Sequence, residues 1–142
     1  MCVSVATGQH AAMQQLSLEV KPVARLSVDA DPLPLVVTAG TGAAADGNGR
    51  YSLVTNILSM RITAALDRPM PSGTSLAIQL ESTTGVSRGE VDITRAAGSN
   101  DVVTGIRPGI ETHQRITYRF SAEPGIAEVA SGSRTVTLTL TD

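Results

Sequence analysis

Apolar and polar residues alternate with period two along much of this chain, the pattern of strands that turn one face to a core and the other to water. Leu16, Leu18 and Val20 alternate with Ser17, Glu19 and Lys21, and the phase carries past Pro22 to Leu26 and Val28. That predicts an extended N-terminal strand over residues 16–28 with a break at the proline. Leu58, Met60, Ile62, Ala64 and Leu66 form the longest clean run, followed by Leu76, Ile78 and Leu80, and then by the shorter pair Val91 and Ile93. Ile116, Tyr118 and Phe120 repeat the alternation, and Val136, Leu138 and Leu140 close the chain against threonines.

Turn-forming residues separate these runs, at 46–49, 69–73, 84–85, 98–101, 108–109, 124–125 and 131–133. Short strands at such spacing predict an all-β antiparallel sandwich or barrel. Helix has little room, with single turns conceivable only at 11–15 and 95–97. The organisation read from the chain is an N-terminal extension, 1–15, followed by one sandwich domain, 16–142, within which 16–28 is a candidate donor strand.

At 142 residues the chain is large enough for one core without metal or disulfide staples. Aromatic residues are nearly absent: Tyr51, Tyr118 and Phe120, with no tryptophan. The core must therefore be aliphatic, with Tyr118 and Phe120 in the parity of Ile116 and Tyr51 as the one ring expected at the surface. A net charge of −2 offers no field for nucleic acid or anionic lipid. No apolar stretch reaches the roughly 18 residues that a membrane span needs. Cys2 stands alone, so neither an internal disulfide nor a multi-cysteine metal site is available. The first residues show no charged region followed by an apolar run and a cleavage site, which leaves a mature exported chain or a cytoplasmic one. Richness in Ser, Thr and Gly, with Lys21 as the only lysine, points to an exported, extracellular or cell-surface protein.

Three patterns invite a chemical reading, and each has a plainer one. Gly85, Ser87 and Gly89 fit the G-x-S-x-G nucleophile elbow, with Asp92 or Asp101 and then His113 in hydrolase order. That elbow needs a helix after the serine, whereas residues 90–94 alternate as a strand, so a β-turn is the expectation. Gly40, Gly42 and Ala45 fit a dinucleotide fingerprint, but the Asp-Gly-Asn-Gly run at 46–49 stops any helix and predicts a loop. Asp29, Asp31, Asp46 and Asn48 could supply oxygens to calcium, yet they fall short of a coordinating loop, and turn chemistry explains them. His10 and His113 lie too far apart in sequence to suggest zinc. No catalytic residue, cofactor or metal is expected.

The Leu-Ser-Leu-Glu-Val run at 16–20, the Tyr-Arg-Phe-Ser-Ala run at 118–122 and the closing Ser-Arg-Thr-Val-Thr-Leu-Thr-Leu-Thr run at 133–141 together resemble secreted pilin-like subunits of the chaperone-usher and spore-coat-protein-U type. The chain departs from that type in lacking paired cysteines and in ending on Asp142 without an aromatic residue before it. The resemblance implies an immunoglobulin-like sandwich that lacks its last strand and is completed by the N-terminal segment of the next subunit. It also implies a head-to-tail homopolymer, with a periplasmic chaperone and an outer-membrane usher as assembly partners. Met13, Leu16, Leu18 and Val20 are then the donor residues, and Val136, Leu138 and Leu140 form the C-terminal strand. The alternation is the same for a donated strand and for the first strand of the domain's own sandwich. A self-contained secreted or cell-surface binding domain, its first strand docked internally, therefore stands beside the filament subunit.

Overall fold

The computed structural model describes residues 11–29, 33–37, 44–126 and 132–142. Nine strands are found there: β1 (Ala24–Val28), β2 (Ala44–Thr55), β3 (Met60–Leu66), β4 (Thr74–Leu80), β5 (Val86–Ser87), β6 (Val91–Asp92), β7 (Asn100–Ile106), β8 (Gly109–Ala122) and β9 (Val136–Thr141). They form two antiparallel sheets, one ordered β1-β2-β8-β4-β6 and the other β5-β7-β3-β9. This is the all-β sandwich that the alternation predicts. Among the described residues there is no helix.

The alternating rows meet between the sheets. Ile62 and Ala64 from β3, Ile78 and Leu80 from β4, and Ile116 from β8 are fully buried, with Val102, Val103 and Ile106 from β7. Tyr118 and Phe120 pack against this core half-buried. Burying an aliphatic side chain of this size stabilises by about 1.5–3 kcal/mol, so a core almost without aromatics rests on many such rows rather than on a few large rings.

Five expectations are corrected. Strand β3 begins at Met60 rather than Leu58, because Ser59 takes φ of 60° and ends the extended backbone, leaving Leu58 72% exposed. The turn expected at 46–49 is instead the middle of β2. There Asp46 pairs with Arg119 and Gly47 with Tyr118 on the long strand β8. Gly47 is needed for space: a Cβ would lie 2.7 Å from Leu35 Cδ2, which packs over it. Tyr51, expected at the surface, is only 1% exposed, since the inward row of β2 carries it into the core. Strand β7 starts at Asn100, inside the turn expected at 98–101. Its register against β3 slips twice, which breaks the parity and buries both Val102 and Val103. Finally, the N-terminal strand is confined to β1; residues 11–23 have no strand structure.

Candidate assembly site

Two apolar features are unfinished: the segment before β1 and the edge of the second sheet. Residues 11–20 are exposed throughout, with Met13 at 98%, Leu18 at 85%, Val20 at 86% and Leu16 at 66% exposure. Single exposed aliphatics are ordinary on protein surfaces, but four spaced along one segment form an apolar strip that nothing covers among the described residues. Where the segment joins the domain it is held firmly. The Val23 N–H donates to Asn56 Oδ1 at 2.8 Å, the Asn56 side-chain amide donates to the Lys21 carbonyl at 2.8 Å, and the Asn56 N–H donates to the Val23 carbonyl at 3.1 Å.

β9 pairs with β3 from Leu66↔Val136 to Arg61↔Thr141, and nothing pairs with its other side among the described residues. Its alternation is clean, yet Val136, Leu138 and Leu140, which face the core, are only half-buried. Beside the start of β9 a groove of about 720 Å³ opens between the sheets. Leu76, Ile116 and Tyr118 form its floor, Val28, Leu35 and Val136 its walls, and Asn48, Arg50 and Arg134 part of its polar rim. Burial raises the Tyr118 phenol above its ordinary pKa, as expected of a ring on an apolar floor.

The start of β9 is latched to the end of β3. The Thr135 N–H donates to Asp67 Oδ1 at 2.9 Å, Arg68 donates to the Ser133 carbonyl at 2.8 Å, and Arg134 donates to the Pro69 carbonyl at 2.8 and 3.0 Å. The first of these bonds, with help from Arg68, holds the Asp67 carboxyl below its ordinary pKa of 3.8. The edge is therefore fixed in place by these bonds, while among the described residues no second strand pairs with it.

The opposite pole is closed around Glu111, a residue that the sequence pattern hides because the parity of Ile116, Tyr118 and Phe120 puts it on the outward face, and only the bulge at His113 turns it inward. Glu111 is 1% exposed. Its Oε1 accepts from the Thr83 N–H, from the Thr84 N–H at 3.1 Å, and from the hydroxyls of Ser82 at 2.9 Å and Thr83 at 3.0 Å. These bonds pin the loop that carries the chain from β4 in one sheet to β5 in the other. Tyr51 donates its hydroxyl to the Glu81 carbonyl in the same loop. Burial and, secondarily, the Glu111 charge raise the Tyr51 pKa.

The patterns with a chemical look are dispersed. Ser87 lies on β5 and His113 on β8, in different sheets; the Ser87 hydroxyl accepts from the Gly89 N–H at 3.2 Å, and Asp92 accepts from the Thr94 N–H at 2.8 Å. His113 is exposed, with φ of 52°, at a bulge in β8. Ala45 is in β2 rather than at a helix start, while Gly40 and Gly42 lie outside the described residues. Of the calcium candidates, Asp46 is bound to Arg119 at 3.1 Å, Asn48 is in mid-strand and Asp31 is outside the described residues, as are His10 and Cys2. Among the described residues no three His, Cys, Asp or Glu side chains are grouped to hold a metal. Comparison with family models, with curated proteins and with solved structures finds no match to this chain.

Proposed function

We propose that this protein is a structural subunit of an extracellular filament, assembled head-to-tail by donation of residues 11–20 of one copy to the β9 edge of the next. The observation that carries this reading is the presence, in one chain, of an exposed apolar strip and a half-buried edge of matching size. Residues 14–20 extend over about 23 Å and the six residues of β9 over about 20 Å, at about 3.3 Å per residue. Leu16, Leu18 and Val20 would enter beside Val136, Leu138 and Leu140 and toward the groove, while backbone bonds form along the free edge. Each leucine or valine so buried contributes about 1.5–3 kcal/mol. Donor and acceptor are different surfaces, so the contact repeats without closing and yields an open polymer.

The second reading, a self-contained binding domain with this segment docked on its own edge, is favoured by one observation. β1 begins at Ala24 opposite Thr55, just before the turn into β3, and Arg61 at the start of β3 pairs with Thr141 at the end of β9. The segment therefore leaves the domain at the pole where its own β9 ends.

Negative-stain microscopy with size-exclusion chromatography of the full chain and of the triple variant Leu16→Ser, Leu18→Ser, Val20→Ser separates the two. Filaments from the full chain and folded monomers from the variant are expected. A full chain that stays monomeric at all concentrations, with the variant less stable than the parent, would instead place the segment on its own domain.

A further inference from the structure

Strand donation faces a competitor in the same chain. A segment tethered next to its own acceptor edge sees that edge at an effective concentration in the millimolar range, far above the concentration of other subunits in dilute solution. Self-docking would win unless the tether could not span the distance or the direction, in which case the effective concentration falls to nearly zero. Something at the tether must therefore set the outcome, and the tether here is Lys21-Pro22-Val23.

Its stiffness is written in the sequence. Pro22 fixes its own φ and holds Lys21 in the extended region, so the tripeptide is a short rod rather than a hinge. Asn56 then grips the rod on both sides of the proline. Its Oδ1 accepts from the Val23 N–H and its amide donates to the Lys21 carbonyl, each at 2.8 Å, while its own N–H reaches the Val23 carbonyl at 3.1 Å. Asparagine is suited to this because one side chain offers a donor and an acceptor in one plane, as a neighbouring strand's backbone would. With the rod held along the end of β2, residues 11–20 run into solvent and are exposed at every position, instead of doubling back along β9.

We propose that the Asn56 grip on Lys21 and Val23 is a lock against self-docking, which keeps the apolar segment off its own β9 edge and reserves it for a second copy of the chain. The proposal rests on the strand-donation reading. Self-docking requires the segment to reverse direction at Pro22, and the two side-chain bonds of Asn56 must break first. Asn56 acts through the direction of the segment and does not touch the acceptor edge, so it is a positioning residue.

The test compares the full chain with Asn56→Ala and Asn56→Asp by sedimentation velocity across concentration, and by hydrogen exchange at residues 16–20 in the dilute monomer. For Asn56→Ala the expected result is assembly that needs about tenfold more protein, the size of one or two lost hydrogen bonds, and new protection of the 16–20 amides at dilution. Asn56→Asp keeps the acceptor for Val23 but loses the donor to Lys21, and it should fall between. The stability cost of the substitution alone is read by placing Asn56→Ala in the triple-serine background, where no apolar segment remains to dock. Equal assembly and equally fast exchange in wild type and Asn56→Ala would overturn the lock while leaving strand donation intact. Absence of assembly by wild type, with no binding of an added peptide of residues 14–21, would remove strand donation itself and the lock with it.

Discussion

Strands β3 and β9 lie side by side in one sheet and carry the same alternation, yet they are buried to different depths. Ile62 and Ala64 on β3 are fully buried and Leu66 is 6% exposed, whereas Val136, Leu138 and Leu140 on β9 are half-buried. Composition does not explain this, since both rows are aliphatic. The number of hydrogen-bonded neighbours does: β3 has β7 on one side and β9 on the other, and among the described residues β9 has β3 alone. Alternation thus records which face a strand turns inward, and the number of adjacent strands records how completely that face is covered.

The most severe way to break the comparison is truncation in each row. Ile62→Ala opens a cavity among side chains that cannot collapse around it and should cost about 4 kcal/mol in urea unfolding, whereas Leu138→Ala on the half-covered strand should cost about 1–2 kcal/mol. A peptide of residues 14–21 should widen the cost of Leu138→Ala toward that of Ile62→Ala, because a covered edge behaves as core. Equal costs for the two variants without peptide would mean that β9 is already covered, and the proposed acceptor would be lost.

A second contrast sets the open edge against the closed pole around Glu111. Replacing Glu111 by Ala strips the acceptor from two backbone N–H groups and two hydroxyls and should cost about 3 kcal/mol, because buried donors left unpaired lose their full desolvation energy. Glu111→Gln keeps an oxygen for those donors and should cost less. It also removes the negative charge that helps raise the Tyr51 pKa. For a group whose pKa is raised by folding, the stability it contributes is complete below the ordinary value of 10.0 and is lost as pH rises beyond it. Tyrosinate absorbance should therefore show Tyr51 ionising at lower pH in Glu111→Gln than in the wild type. An unchanged titration would separate Glu111 from Tyr51 and leave burial and the Glu81 charge as the causes.

The same contrast marks what the chain discloses on inspection. The rows of β3, β4 and β9, and of β8 from Ile116 onward, were legible because each keeps a single parity with one face inward. β7 was not legible, since its register slips put neighbouring valines inside together, a tertiary event without a local signal. β2 was concealed by Asp-Gly-Asn-Gly, which is turn chemistry in isolation; here Asp46 reaches Arg119 on β8 and Gly47 makes room for Leu35. Glu111 was missed because the bulge at His113 reverses the parity of β8: the phase of Ile116, Tyr118 and Phe120 continues to Ile110, which is 70% exposed, and leaves Glu111 outward. The apolar segment at 16–20 was visible as alternation, but its exposure depends on what stands next to it, and that is a property of the fold.

The smallest expected effect concerns how the open edge is held. At the start of β9 an exposed carboxylate, Asp67, accepts the Thr135 N–H, and that bond lowers its pKa below 3.8. For a carboxyl whose pKa is lowered by folding, the contribution is present above the ordinary value and fades as pH falls through the folded one. The Thr135 amide should accordingly lose protection relative to its intrinsic exchange rate and shift in NMR spectra as the pH drops below 3.8, while Ile62 on β3 stays protected. Asp92, whose carboxyl is likewise lowered by its bonds from Thr94, gives an internal control in the other sheet: Thr94 should titrate in the same acid range in both wild type and Asp67→Ala, and Thr135 only in wild type. If Thr135 titrates unchanged in Asp67→Ala, the start of β9 is held by the arginine bonds to the Ser133 and Pro69 carbonyls instead, and the edge would keep its place in acid.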